Sequence, residues 1–458
     1  MELSTHHHHP TGDLTQGRIS TQLLRFAVPL FFGQLLQQFY NVMDAWVVGN
    51  FATNDDFAAV SSAGSMTFLV IGLFSGIAVG GGVVISRYYG ARDGEGLSKA
   101  IHTNFLLGLI ASVLATAGGL VLAPRLLTWM DTPSSVMPSA LGYYSVYFAG
   151  VSTVVMYNIC MSILRALGDS MRPLYYLLIS SLINVVLDLL FVAGPWHWGA
   201  TGAAVATVIA QGISVALCLI RMCRLTDDTR LEWRKIRFYP RLMKEVLIQG
   251  LPTGIQNSVI SVGNLTVQSQ INSFGPFAMA GVGAYSKVEG FVFLPITSMS
   301  MALPTFISQN LGAHRVDRAK RGALFGIVSG VIAAEIMGIA IYFLAGPALK
   351  IFVEEPLSVE YGTVHMKIIA PFFFLLALSH CAAGALRGCG KAFIPMITML
   401  AFWCGVRVVY VTGILKLIPK FRMIGWAYPL TWCLSSVVLT VVLLRLDWNK
   451  VCHKSGPD

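Results

Sequence analysis

The sequence predicts an all-α membrane protein, with twelve transmembrane helices in two six-helix lobes related by a pseudo-two-fold axis along the membrane normal. Composition, an internal repeat and the sidedness of positive charge predict it. Hydrophobic residues make up 55% of the 458 positions and charged residues 12%, with a mean hydropathy of +0.67. Soluble domains carry roughly 25% charged residues, so lipid must be the solvent for most of this chain. "ISRYYGARD" from Ile85 recurs as "ISQNLGAHR" from Ile307, and "ILRALGDSMRPL" from Ile163 as "ALRGCGKAFIPM" from Ala385, both at a shift of 222. Pro29 falls on Pro252 once a single-residue gap is allowed. A period this long exceeds that of solenoid repeats and marks a duplicated half.

Windows of about 20 apolar residues give spans at 24–48, 59–84, 102–123, 139–163, 173–193 and 200–220 in the first half. The second half gives 246–271, 279–306, 323–344, 366–386, 395–415 and 424–445. Six spans separate a residue from its repeat mate, so both halves point the same way across the bilayer and enclose a cleft between them. With the N-terminus placed inside, 24 of the 32 Lys and Arg residues are cytoplasmic, five are outside and three lie within spans. This positive-inside asymmetry places a multi-pass protein in the cell membrane with both termini cytoplasmic. It also accounts for the net charge of +10 without a nucleic-acid partner. The expected organisation is a polar leader (1–20), an N-terminal lobe (21–222), a basic linker (223–245), a C-terminal lobe (246–446) and a cytoplasmic tail (447–458). The linker is read as solvated, with anionic lipid as the alternative partner.

The eight cysteines form no CxxC pair, so neither a disulfide framework nor a zinc site is indicated. His6 to His9 could bind metal as a run, but they sit in the leader and carry no functional assignment. That leader lacks the apolar core and small-residue cleavage site of a signal peptide, so the first span is expected to be retained.

An ionised aspartate in mid-bilayer costs about 2.5 kcal/mol or far more, which makes intramembrane acids functional candidates. Asp44 lies in span 1, where Gln34, Gln37, Asn41 and Asp44 follow at helical spacing on one face. Asp188 lies in span 5 with Asn184 one turn before it. Each aspartate is fifteen residues past a proline, Pro29 or Pro173, which places both roughly 22 Å beyond those prolines at a helical rise of about 1.5 Å per residue. Span 6 brings Ala203 and Thr207 to a similar level, and Tyr143 and Tyr144 open span 4 nearby. Two acids, an amide, a hydroxyl and a phenol at one depth suit a Na⁺ cage or a protonatable pocket. The repeat puts Thr266 at the mate of Asp44 and Tyr410 at the mate of Asp188. The restriction of the acids to one half favours function over scaffold.

The C-terminal half offers Lys287, Glu289, Glu335 and Arg407. Lys287 and Glu289 are two apart and face away from each other on a helix; Glu289 and Arg407 are candidates for lining the substrate cavity, together with Gln34, Gln37 and Asn41. Met156, Met161, Met299 and Met301 suit an adaptable cavity or ordinary packing. Pro29, preceded by at least one helical turn, is expected to kink span 1 and act in gating.

These segments, with "FAVPLFFGQLLQQFYNVMDAWVVGNF", "GATGAAVAT" and "FLPITSMSMALPTFISQNLGA", make the chain resemble the multidrug and toxic-compound extrusion (MATE) family over residues 14–445. The resemblance implies a two-lobe antiporter that exports organic cations in exchange for H⁺ or Na⁺ and uses no cofactor. It implies a coupling site at Asp44, Asn184, Asp188 and Thr207, a helix-4 tyrosine at Tyr143 or Tyr144, and a bending proline at Pro29. Arg407 and Tyr410 depart from the acidic helix-11 pattern of another branch. The expected partners are small cationic amphipathic molecules and the bilayer, and the expected state is a monomer. A lipid-linked saccharide flippase is the alternative, although it would want a more basic cavity. A membrane-embedded transferase would need a catalytic cluster such as DDxxD or paired histidines, which the spans lack.

Overall fold

The computed structural model describes residues 12–129 and 132–454, so the run His6 to His9 lies outside the described residues. Among the described residues all regular structure is helical. The N-terminal half folds as α1 (Ile19–Phe51), α2 (Asn54–Ala91), α3 (Gly94–Trp129), α4 (Met137–Ala149), α5 (Val151–Ala166), α6 (Met171–Asp188) and α7 (Gly199–Cys223). The C-terminal half folds as α8 (Pro240–Asn272), α9 (Pro276–Gly312), α10 (Val316–Lys350), α11 (Pro356–Ile369), α12 (Phe373–Gly388), α13 (Phe393–Met399), α14 (Arg407–Leu417) and α15 (Arg422–Leu444). A short α16 (Trp448–Lys454) follows. Among the described residues, ten spans are long and apolar enough to cross a bilayer, and eleven when α4 and α5, bent by 44° at Gly150, count as one.

The twelfth span, α8, is the polar exception. It matches its mate α1 at 33 residues, but its apolar side is a narrow line of exposed Leu251, Ile255 and Val259, while Thr253 and Gln256 are buried. These inward polar groups are why a window average dilutes its signal. A methyl group on Gly76 or Gly80 of α2 would overlap the Gly250 or Val246 carbonyl oxygen of α8. Small residues thus let these two backbones touch where the lobes meet.

The repeat is reproduced down to single bonds. Ser86 donates to the Ala166 carbonyl at 3.4 Å, and its mate Ser308 donates to the Gly388 carbonyl at 2.9 Å. Arg92 and His314, which end α2 and α9, are both left-handed (φ 57° and 56°), as are the mates Gly168 and Gly390 (82° and 73°). The break between α4 and α5 is matched by the tight turn Ala370–Phe372 between α11 and α12.

Two apolar cores result, one per lobe, with an exchange at the end that carries both termini. Leu23, Phe26, Ala27 and Leu30 of α1 bury in the core of the second lobe. Reciprocally, Leu242 and Val246 of α8 bury in the core of the first.

Candidate functional site

Asp188 ends α6, and the chain then widens into a π-helical turn, Leu189–Ala193, before the loop to α7. The rings of Phe191, Trp196 and Trp198 stack pairwise at 5.1–5.2 Å, and the Trp198 amide donates to the Phe191 carbonyl at 2.8 Å. That corner clamps the end of α6 to the start of α7. Asp188 and Asn184, one turn apart, are both fully buried, and α6 packs against α7, which carries Ala203 and Thr207, also one turn apart.

Asp44 of α1 completes the cluster, its carboxyl beside that of Asp188. With both ionised, Oδ1 of Asp44, both oxygens of Asp188 and both amide atoms of Asn184 are buried without a hydrogen-bond partner. A single proton between the two carboxyls links them by a hydrogen bond, and the pair titrates as a unit. A bound Na⁺ would satisfy the same oxygens, since hard cations take carboxylate, amide and hydroxyl ligands.

Tyr40, one turn before Asp44, is a member that sequence reading missed. Its hydroxyl and the Thr207 hydroxyl are hydrogen-bonded at 2.9 Å. The four-residue spacing to Asp44 was the available signal. Of the two helix-4 tyrosines, Tyr143 stacks on Tyr147 at 5.9 Å, and Tyr144 stacks on Phe148 at 5.9 Å. Ala203 contributes no polar side chain; with Val47, Val48 and Val192 it forms an apolar wall.

The polar stripe of α1 divides. Asp44 lies on its inner edge toward α6, while Gln37 and Asn41 are exposed. Gln34 reaches the other lobe and donates to the Met301 sulfur at 3.0 Å. Pro29 is the eleventh residue of α1 and lies in an unbroken helix. There it removes the amide that would bond to the Arg25 carbonyl.

In the second lobe, Lys287 is exposed and Glu289 turns inward, accepting from Tyr285 at 2.7 Å. Arg407 is 2% exposed. Its guanidinium donates to Thr431 at 2.9 and 3.3 Å and to Asn264 at 3.4 Å, and lies 4.6 Å from the Tyr428 ring and 5.2 Å from Trp403. Tyr285 and Tyr428 escaped the sequence reading, although Tyr285 is one turn before Glu289. The two lobes thus carry different polar centres on one repeated scaffold.

The MatE family model matches residues 29–190 and 252–411, one segment in each lobe. This chain belongs to the MATE family. Among MATE relatives it is similar to the probable multidrug resistance protein YoeA of Bacillus subtilis, with 29% identity over 93% of each chain. It is also similar to YpnP of the same organism, another probable multidrug resistance protein, with 27% identity over 85% of this chain and 87% of that one. The solved outward-facing conformation of a multidrug resistance MATE transporter of the MOP superfamily has the same fold. That comparison gives a TM-score of 0.89 at 21% identity, covering 96% of this chain and 99% of the other.

Proposed function

We propose that this MATE-family protein is a secondary antiporter that exports organic cations across the cell membrane in exchange for H⁺ or Na⁺, with Asp44 and Asp188 as the coupling pair. The observation that carries the reading is their proximity: two carboxyl groups beside each other in one lobe, Asp188 buried and Asp44 half-buried with its Oδ1 enclosed, and unpaired oxygens around them. Two neighbouring carboxylates repel unless a proton or cation sits between them. Entry of the coupling ion neutralises the lobe and relaxes that repulsion. A cationic substrate held by the uncompensated charge loses its attraction at the same moment.

Thr207 and Tyr40 transmit the change, because their hydrogen bond ties α1 to α7 beside the pair. Pro29 gives α1 a point at which it can bend without breaking a hydrogen bond, since its own is already missing. The lobes then rock about their interface, with both termini in the cytoplasm, and access alternates. The relatives' role as multidrug resistance proteins supports the substrate class. Flipping of lipid-linked saccharides is less well supported, since the intramembrane cation Arg407 is enclosed by Thr431, Trp403 and Tyr428.

The test is export of an ethidium-like dye from proteoliposomes with H⁺ and Na⁺ gradients imposed separately. Antiport predicts dye movement against its own gradient under one of them. Movement that only follows the dye's own gradient under both would overturn the proposal.

A further inference from the structure

Residues 12–17 run across the end of the bundle that carries both termini, and we infer that they form a latch holding that side closed. The inference rests on the alternating-access reading above. Gly12 lies against the backbone of Leu167 and Gly168 in the first lobe, so closely that a methyl group on Gly168 would overlap the Gly12 carbonyl oxygen. The next residues bind the second lobe. Arg318 donates to the carbonyls of Leu14 at 3.1 and 3.3 Å, Gln16 at 2.6 Å and Gly17 at 2.6 Å. Arg315 donates to Thr15 at 2.8 Å, and Asn310 to Leu14 at 3.3 Å. Leu14 itself is 2% exposed and buried in the second lobe's core.

The latch lies over a reciprocal clasp made by repeat mates. Gln309 of α9 reaches into the first lobe and donates to the Ala166 carbonyl at 2.8 Å, while its Oε1 accepts from the Leu14 amide at 3.1 Å. Its mate Arg87 of α2 reaches the second lobe beside Gly390. Gly90 and Gly312, also mates, leave room for the Gln309 and Arg87 carbonyls respectively. The mate of the latch is the linker, whose Glu232 amide donates to His102 of α3 at 2.9 Å. That linker joins the lobes covalently through α7 and α8; the latch holds them through hydrogen bonds. Because Leu14 and the start of α1 are both buried in the second lobe's core, the latch stays with that lobe, and opening this side must part Gly12 from Leu167 and Gly168 or pull the latch from Arg315 and Arg318.

Cys389, 2% exposed beside Arg87, reports opening. In inside-out vesicles its modification by a membrane-impermeant maleimide, followed by peptide mapping, should quicken about tenfold in Arg318→Ala, a shift of the size a lost latch gives to a two-state equilibrium. Cys160, in the first lobe's core, should stay unmodified. An unchanged rate at Cys389 would overturn the latch. If Cys160 also reacts, folding has been disturbed and a second protein decides. Asp13→Cys with Arg92→Cys, joined by a bis-maleimide containing an internal disulfide, fixes the latch to the first lobe while Arg318 holds it to the second, and should lower downhill dye flux about tenfold, regained on reduction. Unimpaired flux in the joined protein would overturn the latch. The Cys389 rate involves no ion gradient, so failure of the latch is distinguishable from failure of antiport.

Discussion

Asp44 and Asp188 were legible in the sequence because an acid inside an apolar span has few structural reasons to be there. Their shared depth followed from equal distances to two prolines. Tyr40 was not legible, since aromatic residues in lipid-spanning helices mostly pack, and only the fold shows its hydroxyl on Thr207. Nor did helical spacing show that Gln34 faces the other lobe, because a stripe on one face is wide enough to serve two environments. Tyr40→Phe should remove a single hydrogen bond, lowering stability by about 1 kcal/mol, and should raise the half-saturating concentration of the coupling ion. Thermal unfolding with ion titration of dye export checks both. Asp188→Asn should abolish uphill export while leaving the protein folded, and export at the wild-type rate would remove Asp188 from the pair.

At the scale of elements, the caps and breaks explain how the site is held. Thr53 and Asp56 form a reciprocal capping box at the start of α2, and Asp56 also accepts from the Ala200 amide at the start of α7. Burial pushes its carboxyl up, but the hydrogen bonds from the Thr53 hydroxyl and the Ala200 amide outweigh this and hold it below the ordinary aspartate range. A lowered folded value means that the unfolded chain binds the proton more readily. The stabilisation is therefore full above the unfolded value of about 3.9 and is lost as pH falls through the folded one. Asp56→Ala should cost about 1 kcal/mol at neutral pH, and the difference from wild type in thermal unfolding should shrink by pH 3. Pro29→Ala should restore the bond to the Arg25 carbonyl, raising the melting temperature while slowing transport, which a paired melting and flux assay reads. The π-helical turn after Asp188 and its tryptophan corner were invisible to periodicity, which tracks helices without resolving their local widening.

Across the whole molecule, duplication was the most legible property, because motifs that share one shift constrain every element between them. The matched φ values of Arg92 and His314 show why: both halves turn at the same place with different side chains. The exchange of α1 and α8 between cores was not legible, since apolar side chains in a membrane helix look alike whether they face lipid, their own lobe or the other. The asymmetric chemistry on this symmetric frame, a carboxyl pair in one lobe and an enclosed Arg407 in the other, leads to one decisive comparison. Wild-type and Asp44→Asn proteins are reconstituted at equal density, and dye accumulation is followed against its own gradient while the coupling-ion gradient is imposed. Wild type should concentrate the dye and Asp44→Asn should only equilibrate it; uphill accumulation by Asp44→Asn would contradict coupling at the carboxyl pair.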